Sequence, residues 1–139
     1  PPPVDLHAER RNGDLVRELI RDGRVSAIHD LSDGGLVMAA AELALAAGLG
    51  VTLGPARHPR QAAHPHAYLF GEDQGRYLVA VTGDPAEVTA RAAAAGVPEA
   101  IVGFVGGDRF EATGLFSLSL DHLRAAHDGW MPRWIASAA

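Results

Sequence analysis

The chain has 139 residues, 47% of them apolar and 21% charged, with no cysteine and a formal net charge of −5. That is the length of one domain able to bury a core unaided, and it excludes a disulfide scaffold, a thiolate metal site and a cysteine nucleophile. All 12 cations are arginine, which excludes chemistry needing a lysine amine, and the negative balance argues against a nucleic-acid partner held by phosphate neutralisation.

The sequence opens Pro1-Pro2-Pro3-Val4, without an initiator methionine or a signal-type stretch. A triple proline is stiff and extended. Residues 1–11 are therefore expected as a linker, residues 12–139 as the domain, and the whole as a piece of a longer polypeptide. From Asp14 to Arg21, apolar residues at helical spacing predict a helix capped by Asn12 or Asp14 and ended by Gly23. Val25 to His29 reads as a buried strand, Asp30 to Gly35 as a loop, and Leu36 to Ala47 as an alanine-rich helix. The apolar run Leu36–Val51 contains Glu42 and many small residues, and is too short to span a bilayer.

Val51 to Leu53 is a brief strand, and the proline- and histidine-rich stretch Gly54 to His66 is an exposed loop. A helical turn over Ala67–Gly71 and a strand over Arg76–Thr82 follow. Asp84-Pro85-Ala86-Glu87 starts a helix reaching about Ala95: a capping acid, proline at the first position and an acid in the first turn. Ile101–Val105 is a strand, Arg109–Ala112 and Phe116–Leu120 a hairpin pair, and Asp121 caps a last helix bearing Trp130 and Trp134. Helices alternate with strands, but several strands follow one another directly. The expected class is α+β, a mixed β-sheet with helices packed on it.

Two loops carry the chemistry. In His29-Asp30-Leu31-Ser32-Asp33-Gly34-Gly35, between strand and helix, free amides and the positive helix end suit an anion. Equally, the glycines relax a tight turn while Ser32 or Asp33 caps the helix. His29 and Asp30 either orient a ligand or a metal-bound water, or His29 is a satisfied core histidine. The second loop, Gly71-Glu72-Asp73-Gln74-Gly75-Arg76, offers carboxylates and an amide to a polar ligand, or is a solvated turn. His58, His64 and His66 lack a nearby acid and make a poor metal cage. His122 and His127, five apart on a helix, fall on different faces, whereas Trp130 and Trp134 share one. No serine sits in a nucleophile elbow.

Ala27 to Leu36, followed by an alanine-rich helix with Glu42, closely resembles a motif of the synthetase subunits of phosphoribosylformylglycinamidine synthases. Leu69-Phe70-Gly71-Glu72-Asp73-Gln74-Gly75-Arg76-Tyr77 is similar to the second hallmark of the same domain, a C-terminal domain of the aminoimidazole ribonucleotide (AIR) synthetase superfamily. Ile101–Val105 and the tryptophan-bearing end fit its later elements, so the resemblance runs from about Asn12 to Ile135. It implies an AIR synthase C-terminal-like fold and part of a cytoplasmic ATP-dependent ligase of purine synthesis, using ATP, Mg²⁺ and ammonia supplied by a glutaminase subunit or domain.

In such enzymes the catalytic and Mg²⁺-binding residues lie on N-type domains absent from this chain. The resemblance therefore implies no catalytic residue and no metal ligand here, and an isolated domain that is inactive. It implies a nucleotide or phosphoribosyl ligand facing His29, Asp30, Ser32, Asp33, Gly34, Gly35, Glu72, Asp73 and Gln74. A face normally covered by the remaining domains of the polypeptide would also allow self-association. One departure stands out: the family turn usually reads Glu-Ser-Gln, and Asp73 replaces the serine with a carboxylate that would repel phosphate. The loops then belong to an auxiliary nucleotide site or are structural. The alternatives are the equivalent domain of AIR synthase, selenophosphate synthetase or thiamine-phosphate kinase, or a non-catalytic interaction module.

Overall fold

The computed structural model describes residues 4–54 and 64–137. The chain divides into two compact units, one comprising Pro1–Leu43 with Ala56–Ile101 and the other Ala44–Pro55 with Val102–Ala139. The class is α+β, with the strands divided between two sheets.

In the first unit, α1 spans Leu6–Arg21. The expected extended lead-in over residues 1–11 is thus corrected from Leu6 onward, and neither Asn12 nor Asp14 is the cap. Asp5 caps the helix, its carboxylate accepting from the amides of His7 and Ala8 at 3.0 Å each. The first two turns carry no buried apolar residue, so hydrophobic spacing revealed only the later turns, where Leu15 and Leu19 are buried. With Ala92 these form one core cluster of the unit, and Val25, Val88 and Val97 pack against it.

Strand β1, Val25–Asp30, pairs antiparallel with β3, Tyr77–Val81, Asp30 lying opposite Tyr77. Between them in sequence come α2 (Gly35–Ala47), β2 (Val51–Leu53) and α3 (Pro65–Phe70). Leu36, Val37, Tyr68 and Leu69 are buried. Helix α4, Pro85–Ala94, begins as its sequence indicates, with the Asp84 carboxylate 2.9 Å from the Ala86 amide. Ion pairs Arg24–Glu87 (2.7 Å) and Arg91–Asp22 (2.5 Å) join α4 to the segment between α1 and β1. The Arg91 guanidinium holds the Asp22 carboxyl below its ordinary value.

The second unit contains β2, β4 (Gly103–Val105), β5 (Arg109–Ala112), β6 (Phe116–Ser119) and α5 (Leu120–Ser137). The sheet order is β4-β2-β5-β6, parallel only between β2 and β5. Leu53, Phe110, Ala112 and Leu120 are buried, and the Phe110 and Phe116 ring centroids lie 5.6 Å apart. Asp121 lies inside the first turn of α5 rather than capping it: the Ser119 hydroxyl accepts from the His122 amide at 3.2 Å. No helix among the described residues is long and apolar enough to cross a membrane.

Candidate functional site

The register of β1 on β3 brings the two loops together. Beyond the Asp30–Tyr77 pair, the Leu31 amide donates to the Arg76 carbonyl at 3.0 Å, so the loop leaving β1 runs beside the turn entering β3. The contact is then closed by Glu72, whose Oε1 accepts from the Gly34 amide at 2.8 Å. Gly35 is buried with φ +63°, and a Cβ there would lie 2.7 Å from the Gly71 carbonyl oxygen and 2.8 Å from the Phe70 carbonyl carbon. Glycine is what permits this approach of backbone to backbone. The Gly35 amide donates to the Ser32 carbonyl at 3.0 Å, tightening the loop into a turn.

His29 is half-buried and internally bonded. Its Nε2 lies 2.7 Å from Glu42 Oε2 on α2, and its Nδ1 lies 2.6 Å from the Asp30 carbonyl oxygen. A carboxylate and a carbonyl both only accept, so the two contacts are satisfied together by the protonated ring. The Asp30 carbonyl and then Glu42 raise the His29 pKa above the ordinary 6.5, against the opposing effect of burial. Next to it, the Ser32 hydroxyl donates to the Asp30 carboxylate and is the main reason its pKa is lowered.

The opposite turn is held from two sides. Arg76 Nη1 donates to Asp73 Oδ2 at 3.0 Å, and Asn12 Nδ2 of α1 donates to the Gly75 carbonyl at 2.9 Å. Ser32, Asp33, Glu72, Asp73 and Gln74 are all exposed. All nine sequence-predicted residues thus lie in one unit, His29 and Asp30 at the end of β1, Ser32 to Gly34 in the loop that follows, Gly35 at the start of α2, and Glu72 to Gln74 in the adjacent turn before β3. Glu42 and Asn12 were not among the site residues expected from the sequence. Glu42 sits 13 positions beyond His29, and only the return of α2 past β1 brings it into reach.

The other candidates do not join this site. His58 lies outside the described residues. His64 and His66 are exposed, with ring centroids 6.0 Å apart. On α5, His127 meets Asp128 at 2.9 Å, and Trp130 stacks on Trp134 with centroids 6.1 Å apart, both exposed. Among the described residues, no three His, Asp or Glu side chains converge as a metal site.

Comparison with known proteins accords with these loops. The family model described as "AIR synthase related protein, C-terminal domain" matches residues 1–114. Phosphoribosylformylglycinamidine synthase subunit PurL of Caulobacter vibrioides is 53% identical over 99% of the chain, and that of Parvibaculum lavamentivorans 47% identical over 100%. The chain spans 18% of the length of each of these relatives.

Among solved structures, phosphoribosylformylglycinamidine synthase II of Thermotoga maritima superposes with a TM-score of 0.73, covering 88% of this chain and 22% of that one at 22% identity. T. maritima PurL complexed with ATP gives a TM-score of 0.69, covering 81% of this chain and 21% of that one at 20% identity. At those identities the likeness is one of fold, and it agrees with the α+β architecture expected from the sequence. The full-length sequence matches and the family model agree with the resemblance carried by the two loops: the chain belongs to the AIR synthase related protein, C-terminal domain, family.

Proposed function

We propose that this chain works as the C-terminal domain of the synthetase subunit of a cytoplasmic phosphoribosylformylglycinamidine synthase and has no catalytic activity alone. The observation that carries this reading is identity of 53% to a PurL subunit over 99% of the chain. The reaction is an ATP-dependent C–N ligation in de novo purine synthesis. The γ-phosphoryl group of ATP passes to the amide oxygen of formylglycinamide ribonucleotide, releasing ADP. Ammonia from a glutaminase partner then attacks that carbon, and the oxygen departs with phosphate to leave the amidine. One T. maritima structure is described as PurLQS, an assembly in which PurL has companions, and this supports a partner of that kind.

Within such an enzyme, the loop pair His29–Gly35 and Glu72–Gln74 faces a nucleotide or phosphoribosyl-bearing ligand at the edge of the domain. Asp30 accepts from Ser32, Glu72 from Gly34 and Asp73 from Arg76, so these carboxylates are tied into the loops, and the described residues offer no three-ligand cluster. The metal that would stabilise phosphoryl transfer is assigned to the rest of the longer polypeptide.

The test is the full-length synthetase subunit containing this chain, assayed for ADP release dependent on both formylglycinamide ribonucleotide and ammonia. Substrate-independent ATP hydrolysis, or none, would reject the assigned reaction. A crystal of that enzyme with substrate and a non-hydrolysable ATP analogue tests the loops separately. If the His29–Gly35 segment touches neither ligand, their binding role is wrong while the reaction assignment stands.

A further inference from the structure

We propose that Glu72 is the resident anion of the α2 N-terminus, a positioning residue that closes this end of the helix to phosphate and locks the two loops in register. A strand-to-helix turn containing Gly34 and Gly35 would ordinarily be a place for a phosphate, because its amides are free and the helix end is positive. Here the two glycine amides of the turn are already engaged. The Gly34 amide donates to the Glu72 carboxylate at 2.8 Å, and the Gly35 amide donates to the Ser32 carbonyl at 3.0 Å.

The reach of Glu72 across 38 residues is fixed by backbone rather than by side-chain choice. Gly35 lies against the Phe70–Gly71 peptide so closely that no Cβ fits between them, and this brings residue 72 to the start of the helix. The local charge also opposes a second anion. Asp30 and Asp33 flank the turn on one loop and Asp73 stands beside Glu72 on the other. The nearby basic side chains are engaged, Arg76 by Asp73 and His29 by Glu42. A ligand at this edge is therefore met by hydroxyl, amide and carboxylate groups, as suits the uncharged hydroxyl- or amide-bearing part of a molecule. The lock rests on contacts within the chain and stands independently of the ligase assignment.

The experiment follows the Gly34 amide by ¹⁵N NMR in the 139-residue chain, with Glu72→Gln and Glu72→Ala beside it. An amide bonded to a carboxylate reports that group's protonation. The Gly34 shift is thus expected to move as the native chain is acidified and to lose most of that movement in Glu72→Gln, which retains an accepting oxygen. Glu72→Gln leaves Asp30, Asp33 and Asp73 in place, so the variant separates their influence from that of Glu72. In Glu72→Ala, hydrogen exchange at Gly34 should be on the order of tenfold faster than in the native chain. Inorganic phosphate should leave the native Gly34 and Gly35 amides unmoved. A Gly34 shift that ignores pH, or moves equally in Glu72→Gln, overturns the proposal. So does unchanged exchange in Glu72→Ala, or saturable movement of the native Gly34 and Gly35 amides by phosphate.

Discussion

At Gly35 the backbone adopts φ +63° and the Gly71 carbonyl oxygen lies 2.7 Å from where a Cβ would stand, whereas Gly96, at φ +65°, has open space around that position. The pair separates two costs of a side chain. Gly96→Ala should lower stability by about 1 kcal/mol, the cost of the left-handed backbone alone. Gly35→Ala adds a clash with backbone that cannot rotate away, and should cost about 3 kcal/mol or more in urea denaturation. Equal losses would mean that the close approach is not needed. His29 gives a second test. Its folded-state pKa is raised, so its stabilising effect is complete below the unfolded value of 6.5 and is lost as pH rises through the folded value. His29→Gln should flatten the fall in thermal midpoint above pH 6.5, and an unchanged profile would exclude the His29–Glu42 pair as its source.

At the scale of elements, the helix ends explain what could be read from the sequence. Asp84-Pro85 announces α4 because cap and proline are adjacent, and the helix begins there. Asp5 caps α1 just as effectively, but the turns that follow bury no apolar side chain, Leu6 being 72% exposed, and hydrophobic periodicity starts only near Leu15. The two site loops were legible as strand-to-helix and glycine-bounded turns. Their mutual contact was not, because it depends on the Asp30–Tyr77 register and on a peptide approach at Gly35. The burial pattern also gives an expectation for packing. Leu19 is 2% exposed, and Leu19→Ala should cost about 3 kcal/mol. Hydrogen exchange should show that loss in α1, β1 and α4, whose Val25, Val88 and Ala92 share its cluster. Full protection retained in those elements would show that the cluster is not their main support.

For the molecule as a whole, the two units divide its chromophores as well as its cores. Both tyrosines, Tyr68 and Tyr77, belong to the first unit, and both tryptophans, Trp130 and Trp134, to the second. The stacked indoles on α5 therefore dominate emission excited at the red edge and report on one helix of one unit. Tryptophan fluorescence therefore probes the surroundings of α5 directly and the loops at Gly34 and Glu72 only through the cooperativity of unfolding. Tyrosine absorbance is the optical signal native to that half of the chain, and Tyr68, 9% exposed, is the better buried of its two reporters.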